Sequence, residues 1–184
     1  QDLCELIYQS IVDETSGDLR VTGTQISVTD AVAKLSSLYE TYMVKGQLPN
    51  LSDRFDRNVF NALRGYIPDE ERVHSPQKHV DERGWLVETV KAGSGGQCFV
   101  STTKPGITRG NHFHRRKVER FFVLQGKAEI KLRKLFSDDV KSYLINGDAP
   151  SYVDIPTLHT HCITNVGDEE LITLFWADEY YDPE

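Results

Sequence analysis

Between Gly106 and Gly126 the chain reads GITRGNHFHRRKVERFFVLQG (residues 106–126), and this stretch decides the fold. It gathers His112, His114 and Glu119 in a short span bounded by two glycines, with His161 available further along to complete a set of four. With residues 112–116 and 118–125 read as strands joined by a tight connection, period-2 geometry turns His112 and His114 to one face. Glu119 then returns beside them. Two imidazoles and a carboxylate converging from strands make a site for a divalent metal.

The sequence around this stretch is strand-like. Segments rich in Val, Ile, Phe, Thr and Leu recur as GWLVETVK, GQCFVSTT, ERFFVLQ, KAEIKLRKL, VKSYLI, SYVDIP, HCITNV and ELITLFWA. Short strands at regular spacing with turns between them predict an all-β sandwich or barrel. The turn at Gln125-Gly126-Lys127, flanked by FFVL and AEIKL, reads as a hairpin.

The first third has a different period. In DLCELIYQSIVDE, Leu3, Ile7 and Ile11 recur every fourth residue; SVTDAVAKLSSLYETYMVKG carries Val32, Leu35, Leu38, Tyr39, Tyr42 and Met43 before Gly46. Both spacings predict amphipathic helices. A third helix is expected after Ser52, with Phe55, Val59, Phe60 and Leu63 on one stripe and Gly65 as its stop. LRVTGTQISV reads as a short strand or extended loop. Residues 66–81, YIPDEERVHSPQKHVD, combine two prolines with dense charge and suit a linker. The expected organisation is a helical segment over 1–70, a linker over 71–80 and a mainly β domain over 81–184. His74 and His79, in the linker, read as ordinary structural histidines.

Composition narrows the function classes. The 184 residues carry a formal net charge of -7, which argues against a nucleic-acid partner, since that needs a clustered basic footprint. No apolar run is long enough for a membrane span, and Asp2 and Glu5 interrupt any signal-peptide pattern, so a cytoplasmic protein with no membrane partner is expected. The three cysteines, Cys4, Cys98 and Cys162, form no CxxC pair, so neither a disulfide framework nor a thiolate zinc site is expected. Alternation turns Cys162 away from the face that His161 occupies. No GxGxxG and no phosphate loop indicate a dinucleotide site.

Written as spacing, Gly106, five residues, His112, one residue, His114, four residues, Glu119, six residues and Gly126 resembles the first signature of the cupin superfamily. Pro156-Thr-Leu-His159-Thr-His161-Cys-Ile-Thr-Asn165 resembles the second, with Leu158 where that pattern usually has glycine and Gly147 earlier than the usual opening glycine. The resemblance implies a double-stranded β-helix, or jelly-roll, barrel with an N-terminal α-helical appendage. It also implies a metal held inside by His112, His114, Glu119 and His161, with open positions for water or substrate.

A narrower resemblance lies in DERGWLVETVK, KPGITRGNHFHRRKVERF, VDIPTLHTHCITNVGDEEL and LFWADEYYDPE. Together they are similar to the C-terminal cupin domain of bifunctional capsular-polysaccharide enzymes that pair a short-chain reductase with a cupin epimerase. That family implies zinc in the cupin site and C3 epimerisation of a UDP-linked 4-keto-6-deoxy-N-acetylhexosamine in surface-polysaccharide biosynthesis. It implies a homodimer, and it makes residues 1 to about 65 resemble the tail of a reductase domain. There is no Tyr-x3-Lys pair, so no reductase activity is assigned.

Removing a proton beside a ketone requires a stabilised enolate and an acid or base on each face. His159, two residues before His161, is the first candidate base; Tyr152 and Tyr143 are weaker candidates for the other face. TRGNHFH also resembles the RGxH element of the dTDP-4-keto-6-deoxyhexose 3,5-epimerases, which would make His112 the base and Arg109 a phosphate contact; the ligand reading of His112 is preferred. The D-x-R-G element of the same enzymes is matched by Asp81, Arg83 and Gly84. Arg83 and Arg109 are therefore expected to bind the diphosphate as planar forks, with Lys104 and the Arg115-Arg116-Lys117 cluster adding attraction. The alternatives are an iron(II) cupin oxygenase, since two histidines and a carboxylate also suit that metal, and a non-catalytic sugar-binding cupin.

Overall fold

The computed structural model describes residues 3–18 and 23–180. Three α-helices come first: α1 (Leu3–Val12), α2 (Val28–Tyr39) and α3 (Arg54–Gly65). Local capping explains two of the starts. Ser27 accepts the Asp30 amide at the head of α2, and Asp53 accepts the Asp56 amide at the head of α3. Leu38 of α2 and Phe60 of α3 are buried, Tyr42 meets Phe60 edge to face at 5.0 Å, and Lys34 pairs with Asp56. α1 buries none of its residues. The segment expected at 19–28 lies partly outside the described residues, and residues 23–26 form no strand. No helix among the described residues is long and apolar enough to cross a membrane.

Ten strands follow: β1 (Lys78–Asp81), β2 (Gly84–Lys91), β3 (Gln97–Thr103), β4 (Thr108–His112), β5 (Glu119–Gln125), β6 (Lys127–Lys134), β7 (Val140–Asn146), β8 (Ser151–Ile155), β9 (His159–Asn165) and β10 (Leu171–Ala177). They form a six-stranded sheet in the order β1-β2-β3-β10-β5-β8 and a four-stranded sheet in the order β4-β9-β6-β7, antiparallel throughout. The inward residues of both sheets pack as one cluster: Phe121, Val123, Ala128, Ile130, Leu132, Ile155, Ile163 and Leu171. The protein is mainly β, a cupin-type jelly roll with N-terminal helices. An isolated parallel bridge, Leu48 to Ala92, joins the helical segment to the barrel, and the Tyr180 hydroxyl donates to the Ala92 carbonyl at 2.6 Å.

Three local expectations differ from the structure. β4 ends at His112, so His114 stands in the irregular segment beyond it, and β4 and β5 belong to opposite sheets instead of forming a tight pair. Gln125-Gly126-Lys127 is a corner where the chain leaves one sheet for the other, because β5 pairs with β10 and β8 while β6 pairs with β9 and β7. Gly126 takes φ +85° there, and a Cβ would sit 3.1 Å from the Glu170 carbonyl. Residues 78–80, read as linker, already belong to β1.

Candidate metal centre

The four residues of the two motifs meet inside the barrel. One ligand atom from each of His112, His114, Glu119 and His161 lies within 4.8 Å of all the others. Two atoms each about 2.1 Å from a shared ion sit up to ~4.2 Å apart, so the cluster closes on an ion with small side-chain shifts. His161 is 1% exposed, at the middle of the β9 inner face.

The backbone explains the convergence. The β4–β9 register slips between Gly110 and His112, leaving Asn111 as the extra residue with φ +65°, so that His112 pairs across from His161. Gly110, at φ +103°, allows this contact: a Cβ there would lie 2.7 Å from the His161 carbonyl oxygen. Leu158, where the cupin pattern usually has glycine, adopts φ +58°, the left-handed turn a glycine would take. Its amide donates to the His114 carbonyl at 2.8 Å and so ties the segment carrying His114 to the β8–β9 turn. Asn165, fully buried, donates to the Thr103 and Glu169 carbonyls and accepts the Gly167 amide, fixing the turn after β9.

Glu119 Oε2 lies 2.9 Å from His114 Nε2 and 3.2 Å from His161 Nε2, yet none of these three buried atoms makes a hydrogen bond. They lie at ion-pair distance from one another without hydrogen-bond geometry among the described residues. Unpartnered buried polar atoms are rare and costly, and a divalent cation completes all three at once. Burial pushes the Glu119 carboxyl up, but the neighbouring His161 and His114 outweigh it and hold the group below its ordinary range. Burial, with His161 beside it, lowers the pKa of His112, which favours the neutral imidazole a metal requires. This donor set fits zinc or another borderline divalent metal.

A cavity of about 670 Å³ opens onto the cluster, lined among others by His112, Glu119, Arg83, Arg109, His79 and Glu88. Arg109 is held in place: Nε donates to Thr103 Oγ1 at 3.1 Å and Nη2 to the Thr102 carbonyl at 2.9 Å. Burial and the nearby Arg83 cation lower its pKa. Arg83 is braced by Asp81, which accepts its amide and its Nε, both at 2.9 Å. The two guanidiniums and His79, a residue the sequence left in the linker, line both this cavity and a smaller one of about 180 Å³. A second cavity, of about 530 Å³, reaches His112, His114 and Glu119 past Arg115, Arg116 and Lys117.

Other candidates are not brought to the large cavity. His159 is not among its lining residues, and its Nδ1 is engaged with the Thr157 carbonyl at 2.9 Å. Tyr152 pairs across from Phe122, on the face opposite to the inward Phe121 and Val123, and Arg120 lies 3.8 Å over its ring. Tyr143, on β7, and Lys104, in the turn after β3, do not line it either. Cys162 faces away from the cluster, and burial raises its thiol. Glu88, Lys91, Phe99 and Phe175 do line the cavity, and the sequence reading missed them as site residues.

Fold and cluster together define a cupin-type barrel with a three-histidine, one-glutamate centre. Residues 79–184 match the family described as "Polysaccharide biosynthesis C-terminal domain", and the chain belongs to that family. It is 33% identical over 128 residues to UDP-2-acetamido-2,6-beta-L-arabino-hexul-4-ose reductase of Pseudomonas aeruginosa, covering 70% of this chain and 34% of that protein. It is 25% identical over 126 residues to the spore coat polysaccharide biosynthesis protein SpsL of Bacillus subtilis, covering 63% of this chain and 83% of that one. Among solved structures, the capsular polysaccharide assembling protein CapF of Staphylococcus aureus superposes with a TM-score of 0.84 at 30% identity, covering 96% of this chain and 49% of CapF. CapF has also been solved with the inhibitor 3-isopropenyl-tropolone. The chain thus spans about a third of the reductase and half of CapF.

Proposed function

We propose that the barrel is the epimerase unit of a nucleotide-sugar pathway to a surface polysaccharide, inverting C3 of a UDP-linked 4-keto-6-deoxy-N-acetylhexosamine in the cytoplasm. The observation that carries this reading is the gathering of four ligand atoms within 4.8 Å of one another, three of them buried without a hydrogen bond, beside a cavity lined by two guanidiniums. The name of the Pseudomonas relative describes a UDP-linked 4-keto sugar, which is the substrate class such a site suits.

His112, His114, Glu119 and His161 would hold zinc. When bound, zinc supplies a Lewis acid for the C4 ketone oxygen and has no redox chemistry to divert the substrate. Arg83 and Arg109 bind the diphosphate, Arg109 prepaid in rigidity by Thr102 and Thr103 and Arg83 by Asp81. The aromatic inner wall of Phe99, Phe121 and Phe175 gives the sugar an apolar surface to pack against. One proton leaves C3 on one face and another arrives on the opposite face. The working assembly in this reading is a homodimer, as the family resemblance implies. Tropolones carry adjacent ring oxygens that chelate divalent cations, so the inhibitor solved with CapF is a natural probe of the same chemistry here.

The test is to incubate the protein with a UDP-4-keto-6-deoxy-N-acetylhexosamine in heavy water and follow the sugar by NMR. Deuterium enters C3 with metal-loaded protein and ceases after chelation. A competent substrate that stays protonated at C3 with metal-loaded protein overturns the reading. Iron in the purified protein, with oxygen consumed, favours the oxygenase alternative.

A further inference from the structure

Glu88 is a half-buried acid on the inner wall of the barrel. β2 pairs with β3 in step until Glu88 faces Phe99, and the register then slips so that Val90 faces Cys98. Thr89 is the extra residue, its hydroxyl donating to the Cys98 carbonyl at 3.1 Å. Strict alternation would turn Glu88 and Lys91 to opposite faces. The bulge lets both line the large cavity.

Across the sheet Glu88 continues a row of aromatic residues, Phe99 on β3, Phe175 on β10 and Phe121 on β5. The Phe121 ring lies 4.6 Å from Phe175 and 5.3 Å from the His161 imidazole. The row therefore runs from a carboxylate to the histidine cluster through apolar surface. Glu88 Oε1 is buried and has no hydrogen-bond partner among the described residues. Leaving a carboxylate oxygen so costs free energy, a cost that persists where the group must stay free to act on a ligand. Among the described residues no carboxylate lines this cavity besides Glu88 and the ligand Glu119, and neither His159 nor Tyr152 does.

We propose that Glu88 is the base that removes the C3 proton, an inference that rests on the epimerase reading above. The C3–H bond breaks and its proton passes to the Glu88 carboxylate. The electron pair becomes the C3–C4 double bond of an enolate, with the negative charge on the former ketone oxygen. A water molecule admitted along the polar part of the cavity lining, where Gln97 and Lys117 stand, gives a proton to the opposite face of C3, the enolate electron pair forms the new C–H bond, and the ketone is restored. The resulting hydroxide takes the proton from Glu88, so base and water return to their starting states and only the configuration at C3 has changed.

The experiment compares wild-type and Glu88→Gln protein, both zinc-loaded, with the same 4-keto substrate in heavy water. Deuterium entry at C3 is expected to fall by roughly 10²- to 10⁴-fold in the variant, while zinc content by elemental analysis stays at the wild-type level. Substrate affinity, read by ligand-observed NMR, is expected to change by less than about threefold, because the amide still hydrogen-bonds a hydroxyl but cannot take a proton. A variant that exchanges within tenfold of wild type overturns the role of Glu88, as does one that loses rate only through weakened substrate binding. If Glu88→Gln does not fold, Glu88→Asp replaces it: slowed exchange with zinc retained supports the proposal, and wild-type exchange overturns it. Absence of exchange in wild type itself overturns the epimerase reading, and this proposal with it; exchange in wild type that survives in the variant overturns Glu88 alone.

Discussion

The two faces of β5 and β8 make the most instructive comparison in this molecule. On the outer face Arg120 donates to both oxygens of Asp154, at 2.6 and 3.1 Å, its guanidinium covers Tyr152, and Tyr152 stacks on Phe122. The two charges there have found each other. On the inner face of the same strands, Glu119 and the histidines around it approach within 3.2 Å without one hydrogen bond between their facing atoms. One residue of alternation separates Glu119 from Arg120, so the difference is not one of composition. Folding closed the valences on one face and left them open on the other, and the open ones mark where a metal and a substrate belong.

Breaking the inner face should have the largest effect. His161→Ala is expected to weaken divalent-metal binding by more than the roughly 10- to 100-fold typical of losing a group that merely supports a ligand, read by isothermal titration with zinc. Gly110→Ala strikes the backbone device behind the same face: with φ +103° and a Cβ 2.7 Å from the His161 carbonyl, it should cost on the order of 2–4 kcal/mol in denaturant unfolding and weaken zinc binding as well. Leu158→Gly is a smaller perturbation. It relieves a left-handed leucine at φ +58°, and it should stabilise by at most about 1 kcal/mol, the relief being partly offset by backbone entropy. The smallest effect belongs to the outer face: Arg120→Ala should leave zinc content and C3 exchange unchanged, since an exposed ion pair contributes little. A large loss there would erase the contrast between the faces.

Much of this was legible in the sequence, and the failures are physical. Strand segments could be read because Val, Ile, Phe and Thr mark them locally, and β2 begins and ends where GWLVETVK does. Sheet membership could not. A Gln-Gly turn between two alternating runs looks the same whether the strands pair or part, and only long-range pairing makes Gly126 a corner. The histidine spacing pointed to a cluster, but the assumed route, alternation along a strand over 112–116, differs from the observed one through a bulge at Asn111 and a left-handed Leu158. His159 was weighed by its parity with His161, which says nothing about its position at the first residue of β9, where Thr157 engages it. Glu88 was hidden in an ordinary alternating strand, and the bulge at Thr89 that frames it leaves no mark in the residue pattern.

The most direct measurement is the divalent-metal content of the purified protein, by elemental analysis after zinc loading and exhaustive dialysis, alongside the shift in melting temperature. The account predicts about one zinc per chain, a higher melting temperature with zinc than after chelation, and neither effect in His161→Ala. Wild-type protein that retains no divalent metal and melts at the same temperature with and without it would contradict the claim that the open valences of the inner face exist to hold one.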